Sequence, residues 1–393
     1  MIRWLAGLIG FGVAATSALA ADPVTIGVGY LAIAGTRSTL SLVEQPAEND
    51  GVAGARLAIE DNNTTGKFTG QRFTLEERRI REDEDVAQAA TALAEKNGFI
   101  IADLPADALL KVADALRDRG TLVFNAGATD ERLRETDCRA NVIHTAPTRA
   151  MLADALGQYL VWKKWSRWLL VVGSHDEDRL FADAIRRTAA RFGAKIVQER
   201  TFEDKGGARR TDSGVTQIQR QIPVFTQQAP AYDVLVAADE SEVFGAYLPY
   251  RTWDPRPVAG SAGLVPRSWD ASQDQWGAIQ MQNRFVKLNS RRMTALDMQA
   301  WTAVRMIGEA TSRTNSGEVK KVTDFIKGPD FSVAAFKGTR LTLRDWNLQL
   351  RQPILLVDGR LVVSVSPQEG FLHQVSELDT LGYDRPESKC KLK

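Results

Sequence analysis

The chain has 393 residues, 50 basic and 49 acidic side chains, a formal charge of +1 and a hydrophobic fraction of 44%. That length exceeds what one hydrophobic core usually organises, so two domains are expected, each with enough apolar residues for its own core. The balanced charge, with no basic stretch interleaved with aromatics, excludes a nucleic-acid groove, and no nucleic-acid partner is expected.

Residues 1–20 open with Arg3, continue in an apolar run from Trp4 to Ala15 and end on Ala18-Leu19-Ala20. This is the pattern of a secretory signal peptide cleaved after Ala20, and its apolar run is shorter than the ~20 residues that span a bilayer. No cysteine follows the cleavage site, so a free, soluble mature protein is expected. The two cysteines, Cys138 and Cys390, would meet an oxidising compartment, which predicts a disulfide. Two separate buried thiols are the alternative, and a metal pair would be an incomplete zinc set.

From residue 24 onward, strand and helix patterns alternate. Val24 to Tyr30 reads as a strand, Gly51 to Asp61 as a helix, Arg72 to Ile80 as a strand and Val86 to Asn97 as a helix. Gly98 to Ala102 and Thr121 to Asn125 are strands flanking a helix from Pro105 to Arg119. The beat restarts with Val142 to Thr145 extended, Met151 to Trp162 helical, Arg167 to Val172 a buried strand, and Asp178 to Phe192 a helix stopped by Gly193. It continues through Lys195 to Arg200, Val215 to Gln228, Tyr232 to Ala237, Glu242 to Tyr250 and Pro257 to Gly260. Residues 204–214, with three glycines among charges, read as a surface loop. Gln280 to Arg313 is helical, and Asp358-Gly359 turns a hairpin between Gln352 to Asp358 and Leu361 to Val365. The alternation predicts an α/β protein with two doubly wound parallel-sheet lobes.

Val24-Thr25-Ile26-Gly27, Gly51-Val52-Ala53-Gly54-Ala55-Arg56-Leu57-Ala58-Ile59-Glu60-Asp61-Asn62-Asn63, Gly127-Ala128-Thr129-Asp130 and His144-Thr145-Ala146-Pro147 resemble, in order and spacing, the leucine/isoleucine/valine-type periplasmic binding proteins. Near the end, Arg344-Asp345-Trp346-Asn347, Leu350 to Leu356, Val363 to Gln374 and Asp379 to Asp384 resemble a subfamily of ABC-transporter substrate-binding proteins linked with pyrroloquinoline-quinone (PQQ)-dependent alcohol dehydrogenase systems. The resemblance implies the type 1 periplasmic binding fold, a periplasmic location, an inner-membrane ABC permease as partner and an association with a PQQ-dependent alcohol dehydrogenase; a monomer is expected, and a sensory or chaperone role beside that dehydrogenase is the alternative to uptake. It also implies lobes built from two segments each and joined by a three-crossover hinge, with one lobe at 24–143 plus 264–345 and the other at 144–263 plus 346–393.

In open parallel sheets the ligand crevice lies beyond the carboxyl ends of the strands. That rule selects Asp103-Leu104-Pro105, Gly127-Ala128-Thr129-Asp130, Gly173 to Asp178 and Asp239 to Glu242. The ligand-binding candidates are Asp103, Thr129, Asp130, His175, Asp176, Asp178, Asp239 and Glu240. Relative to the amino-acid-binding relatives, only Thr129 clearly survives, so a branched-chain amino acid is a doubtful ligand and a small organic solute is expected. The acidic replacements raise an alternative: Asp103, Asp176, Asp178, Asp239 and Glu240 could form an oxygen cage for calcium or a lanthanide, since hard cations take about six to eight oxygen ligands. The competing reading makes these acids ordinary helix caps. The charge run from Glu76 to Asp85 reads as a solvated strand end, and Trp162, Trp165 and Trp168 as packing rather than an aromatic cage.

No enzyme is expected. His144, His175 and His373 have no zinc-protease or deaminase spacing, and adjacent Ser174, His175 and Asp176 cannot aim at one another as a triad. There is neither a Gly-x-Ser-x-Gly elbow nor a phosphate-binding glycine loop. No cofactor is expected beyond that alternative ion.

Overall fold

The protein is seen here as a computed structural model that describes residues 23–35, 45–204 and 218–392. The signal peptide expected at 1–20 and the loop expected at 204–214, Asp204 excepted, lie outside the described residues.

The first sheet is built from β1 (Val24–Ile33), β2 (Gln71–Ile80), β3 (Phe99–Asp103), β4 (Leu122–Asn125) and β5 (Val142–His144), all parallel in the order β2-β1-β3-β4-β5. Its crossover helices are α1 (Val52–Thr69), α2 (Val86–Ala94) and α3 (Ala106–Leu116). Helix α1 stops where Gly70 turns left-handed at φ 65°, and α2 starts where the Asp85 carboxylate accepts the amides of Ala87 and Gln88. The inner strand β3 is an unbroken apolar run from Phe99 to Ala102, buried throughout, because helices cover both faces.

The second sheet repeats the scheme with α4 (Arg149–Trp162), β6 (Arg167–Gly173), α5 (Asp176–Phe192), β7 (Lys195–Phe202), α6 (Ile218–Thr226), β8 (Val234–Ala238), α7 (Leu248–Arg251) and β9 (Val258–Gly260). Its strands are parallel in the order β7-β6-β8-β9. The helix expected over Glu242 to Tyr250 is shorter than its pattern, a 3-10 turn at Gly245–Tyr247 running into α7, because Asp239 gathers the amides of residues 243–245 into a tight loop.

Past β9, the chain forms β10 (Val265–Arg267) and then returns to the first sheet as α8 (Ala278–Asn289), α9 (Ala295–Thr314) and α10 (Val319–Lys327). Helix α10 is absent from the expectation, its short, lysine-rich stretch having hidden the two residues it buries, Val322 and Ile326. Helix α9 lies so close on α1 that a Cβ at Gly54 would run into the Asp297 carbonyl and one at Gly308 into Asn62. The short pair β11 (Val333–Ala334) and β12 (Arg340–Leu341) follows, and residues 348–350 lay a further parallel segment against His144. The chain then passes to β13 (Ile354–Val357) and β14 (Val362–Ser366), which form the antiparallel sheet β10-β13-β14 beside α4, with the turn at Asp358-Gly359.

The sheets are therefore linked at three places: between β5 and α4, after β10, and before β13. Buried polar side chains tie these passages. Arg134 donates to the carbonyls of Ala128, Asp130 and Ala146 and to Gln349 Oε1, while Gln352 donates to Thr145 O at 2.8 Å. The C-terminal tail spans both halves. Asp379 accepts from Arg344 and Arg351, each at 2.9 Å, Gly382 N donates to Asp154 of α4, and Lys389 N donates to Glu135. The expected disulfide between Cys138 and Cys390 is present, with Cα atoms 5.7 Å apart.

Candidate functional site

The loops at the carboxyl ends of β3, β4, β6 and β8 meet in a row. The carboxylate of Asp103 lies against Gly127, close enough that a Cβ there would sit 2.6 Å from Asp103 Oδ1, and Tyr30 Oη donates to Asp103 Oδ2 at 3.5 Å. Thr129 O accepts the N–H of Arg149, the first residue of α4, at 3.1 Å. The Arg149 guanidinium then joins loops from the two sheets. Its Nε donates to Glu240 Oε2 at 2.9 Å, its Nη2 lies 2.8 Å from the same oxygen, and its Nη1 lies 3.5 Å from Asp130 Oδ2.

Beyond Glu240, Ser241 links the loops after β6 and β8. Its N and Oγ donate to Asp178 at 2.9 and 2.8 Å, and its Oγ lies 3.3 Å from Asp239 Oδ1. His175 N donates to Asp178 Oδ2 at 3.2 Å, which closes the first turn of α5. Asp239 receives the amides of Val243, Phe244 and Gly245 at 2.9, 2.9 and 2.5 Å.

Of the eight residues singled out in the sequence, Asp103, Thr129, Asp130, Asp178, Asp239 and Glu240 fall on this row. Asp176 does not: its side chain is 93% exposed and pairs with Arg179 at 2.6 Å. His175 turns outward, its Nε2 3.0 Å from Asp204 Oδ2.

Burial raises the carboxyl pKa values of Asp239, against three backbone N–H bonds, and of Glu240, against Arg149. For Arg149, burial opposes the charge, but Glu240 and Asp130 outweigh it and raise the guanidinium pKa. Burial pushes Glu131, next to Asp130, up to about 7.

Of the five residues weighed as a cation cage, four are committed elsewhere. Asp178 and Asp239 are filled by protein N–H and O–H donors, Glu240 by a guanidinium, and Asp176 points to solvent. Among the described residues no group of three or more His, Cys, Asp or Glu side chains is placed to hold a metal ion.

Arg149, Arg134 and Glu131 were not singled out in the sequence. A signal for Arg149 existed: a cation in the first turn of a helix opposes the helix dipole, so nearby acids had to compensate it.

The charge run from Glu76 to Asp85 is ion-paired at the rim, with Glu77 held by Arg56 at 2.6 Å and Glu84 by Arg78 at 2.9 Å. Part of it lines a cavity of about 300 Å³ with Tyr30, Val52 and Arg56. Trp168 is buried and donates to Trp165 O, and Trp162 lies under Lys163, so the three tryptophans form no cage.

Residues 35–224 match the family profile described as periplasmic binding protein. No curated protein matches the chain in sequence. Among solved structures, the chain is similar to the leucine-, isoleucine-, valine-, threonine- and alanine-binding protein of Brucella ovis in its closed conformation, at 14% identity and TM-score 0.69, covering 95% of this chain and 100% of that one. It is also similar to a branched-chain amino acid ABC transporter periplasmic ligand-binding protein of Burkholderia xenovorans, at 17% identity and TM-score 0.67 over 86% and 95% of the two chains. A third similar structure is a solute-binding protein of an ABC transporter from R. palustris in complex with benzoate, at 14% identity and TM-score 0.66 over 94% and 100%. Two parallel sheets with this strand order, linked by three passages and matched over nearly their whole length, give the chain the type 1 periplasmic binding protein fold.

Proposed function

We propose that the chain is a periplasmic solute-binding protein that closes two lobes over a small ligand and delivers it to an ABC permease in the inner membrane. The observation that carries this reading is the meeting of loops from the carboxyl ends of both sheets at Asp130, Arg149 and Glu240, the place where open α/β sheets hold ligands. The lobes are 24–143 plus 264–345 and 144–263 plus 346–393, with both later boundaries drawn a few residues on, after β10 and after residues 348–350. A solute touching both lobes stabilises the closed form by its differential affinity for that form. The role is binding, not catalysis. The motifs between Arg344 and Asp384 support service to a PQQ-dependent alcohol-oxidising system.

A thermal-shift screen tests the reading, using branched-chain amino acids, benzoate-type acids and short acids derived from alcohols. A solute at 100 times its Kd stabilises by about 2.7 kcal/mol and raises the melting temperature. No shift with any solute of these classes would count against it.

A further inference from the structure

The carboxylates of Asp130 and Glu240 come from loops on different sheets and both lie against the Arg149 guanidinium, which fills the gap between them. Such a pair would hold the ammonium group of an amino-acid solute, but the gap already contains a cation. Arg149 is 8% exposed, its Nε and Nη2 lie on Glu240, and Nη1 is buried 3.5 Å from Asp130 Oδ2 but makes no hydrogen bond among the described residues. The backbone at Arg149 is anchored, with Thr148 capping α4 and the Arg149 N–H on Thr129 O, and the guanidinium itself is held by its two carboxylates. The neighbouring acids give no second seat: Asp239 is filled by three amides and Asp178 by Ser241 and the His175 N–H.

We propose that Arg149 is the resident counter-ion of the Asp130–Glu240 pair and so sets specificity: the solute this chain takes offers an acceptor oxygen to Nη1 and carries no ammonium group. This inference rests on the solute-binding reading. A second cation beside a buried guanidinium meets like-charge repulsion and finds Glu240 hydrogen-bonded to Arg149 and Asp130 within 3.5 Å of the same cation. An uncharged or carboxylate-bearing solute instead supplies the missing acceptor.

The test is calorimetric titration of the whole chain with ethylguanidinium and with the pair 4-methylpentanoate and leucine, which share a carbon skeleton and differ by the ammonium group. Wild type should prefer 4-methylpentanoate at least tenfold and ignore millimolar ethylguanidinium. Arg149→Ala should bind ethylguanidinium, lose that binding at least tenfold in Arg149→Ala/Glu240→Gln, and shift at least tenfold toward leucine. Should Arg149→Ala not fold, Glu240→Gln frees the guanidinium and should tighten 4-methylpentanoate about tenfold; an unchanged affinity overturns the proposal. So does wild type binding leucine as tightly as 4-methylpentanoate, or ethylguanidinium binding wild type and Arg149→Ala alike. If neither solute binds any form while ethylguanidinium binds Arg149→Ala alone, the counter-ion assignment stands and the specificity drawn from it falls; the solute-binding reading falls with it only if the thermal-shift screen is also blank.

Discussion

Glu131 Oε1 accepts the backbone N–H of Ala150 at 2.6 Å, so a carboxylate from the segment between β4 and β5 closes the first turn of α4 across the passage between the sheets. Burial pushes that carboxyl from its ordinary 4.5 up to about 7. In this window the native state holds the proton more tightly than the unfolded chain, so the group's contribution to stability falls as pH rises from about 4.5 to 7. Glu131→Gln keeps an acceptor for Ala150 and removes the titration. Its stability relative to wild type should grow by roughly 1–3 kcal/mol between pH 5 and pH 8 in urea denaturation. A constant difference over that range contradicts the assignment.

Lys337 is buried, and its ammonium donates to Gln352 Oε1 at 2.5 Å. Burial lowers its pKa from 10.5 to about 7. Here the unfolded chain binds more protons between pH 7 and 10.5, so the group's contribution to stability rises with pH over that window. Lys337→Met should abolish this slope, which in wild type is worth a few kcal/mol (~1–4). Denaturation midpoints at pH 7 and 9 measure it, and equal slopes in both proteins would refute it.

The contact of α1 on α9 predicts a steric cost at one atom. Gly54→Ala drives a methyl into the Asp297 carbonyl. The helices must separate, at about 1–3 kcal/mol or more, which a thermal melt would show as a lower midpoint. An unshifted melt would mean the helices are not this close.

Asp379 is fully buried between Arg344 and Arg351. Asp379→Asn leaves two guanidinium groups without their carboxylate and should cost about 3–5 kcal/mol. Chemical denaturation at neutral pH reads the loss directly, and a change under 1 kcal/mol would mean that the pair is dispensable.

The parallel sheets were legible in the sequence because buried strands such as β3 and β8 are unbroken apolar runs separated by helical periods. The hairpin after β13 was legible because Asp358 caps its own turn, accepting the amides of Arg360 and Leu361, and Gly359 takes φ 90°. What escaped was set by distant partners. Strand β10 is three residues that make sense only once β13 lies alongside. At the site, residue type and loop position found Asp130 and Glu240, but sequence could not say that Asp178 and Asp239 would be consumed by local amides and hydroxyls. Nor could it place Glu240, 91 residues away, on Arg149.

The bond between Cys138 and Cys390 closes 252 positions of backbone into a ring that contains the whole second sheet and the chain after it as far as Cys390. A single proteolytic nick anywhere inside that ring leaves one molecule of unchanged mass apart from the added water. Fragments separate on a gel only after a reducing agent opens the circle, and intact mobility without reductant is the signature of this closure.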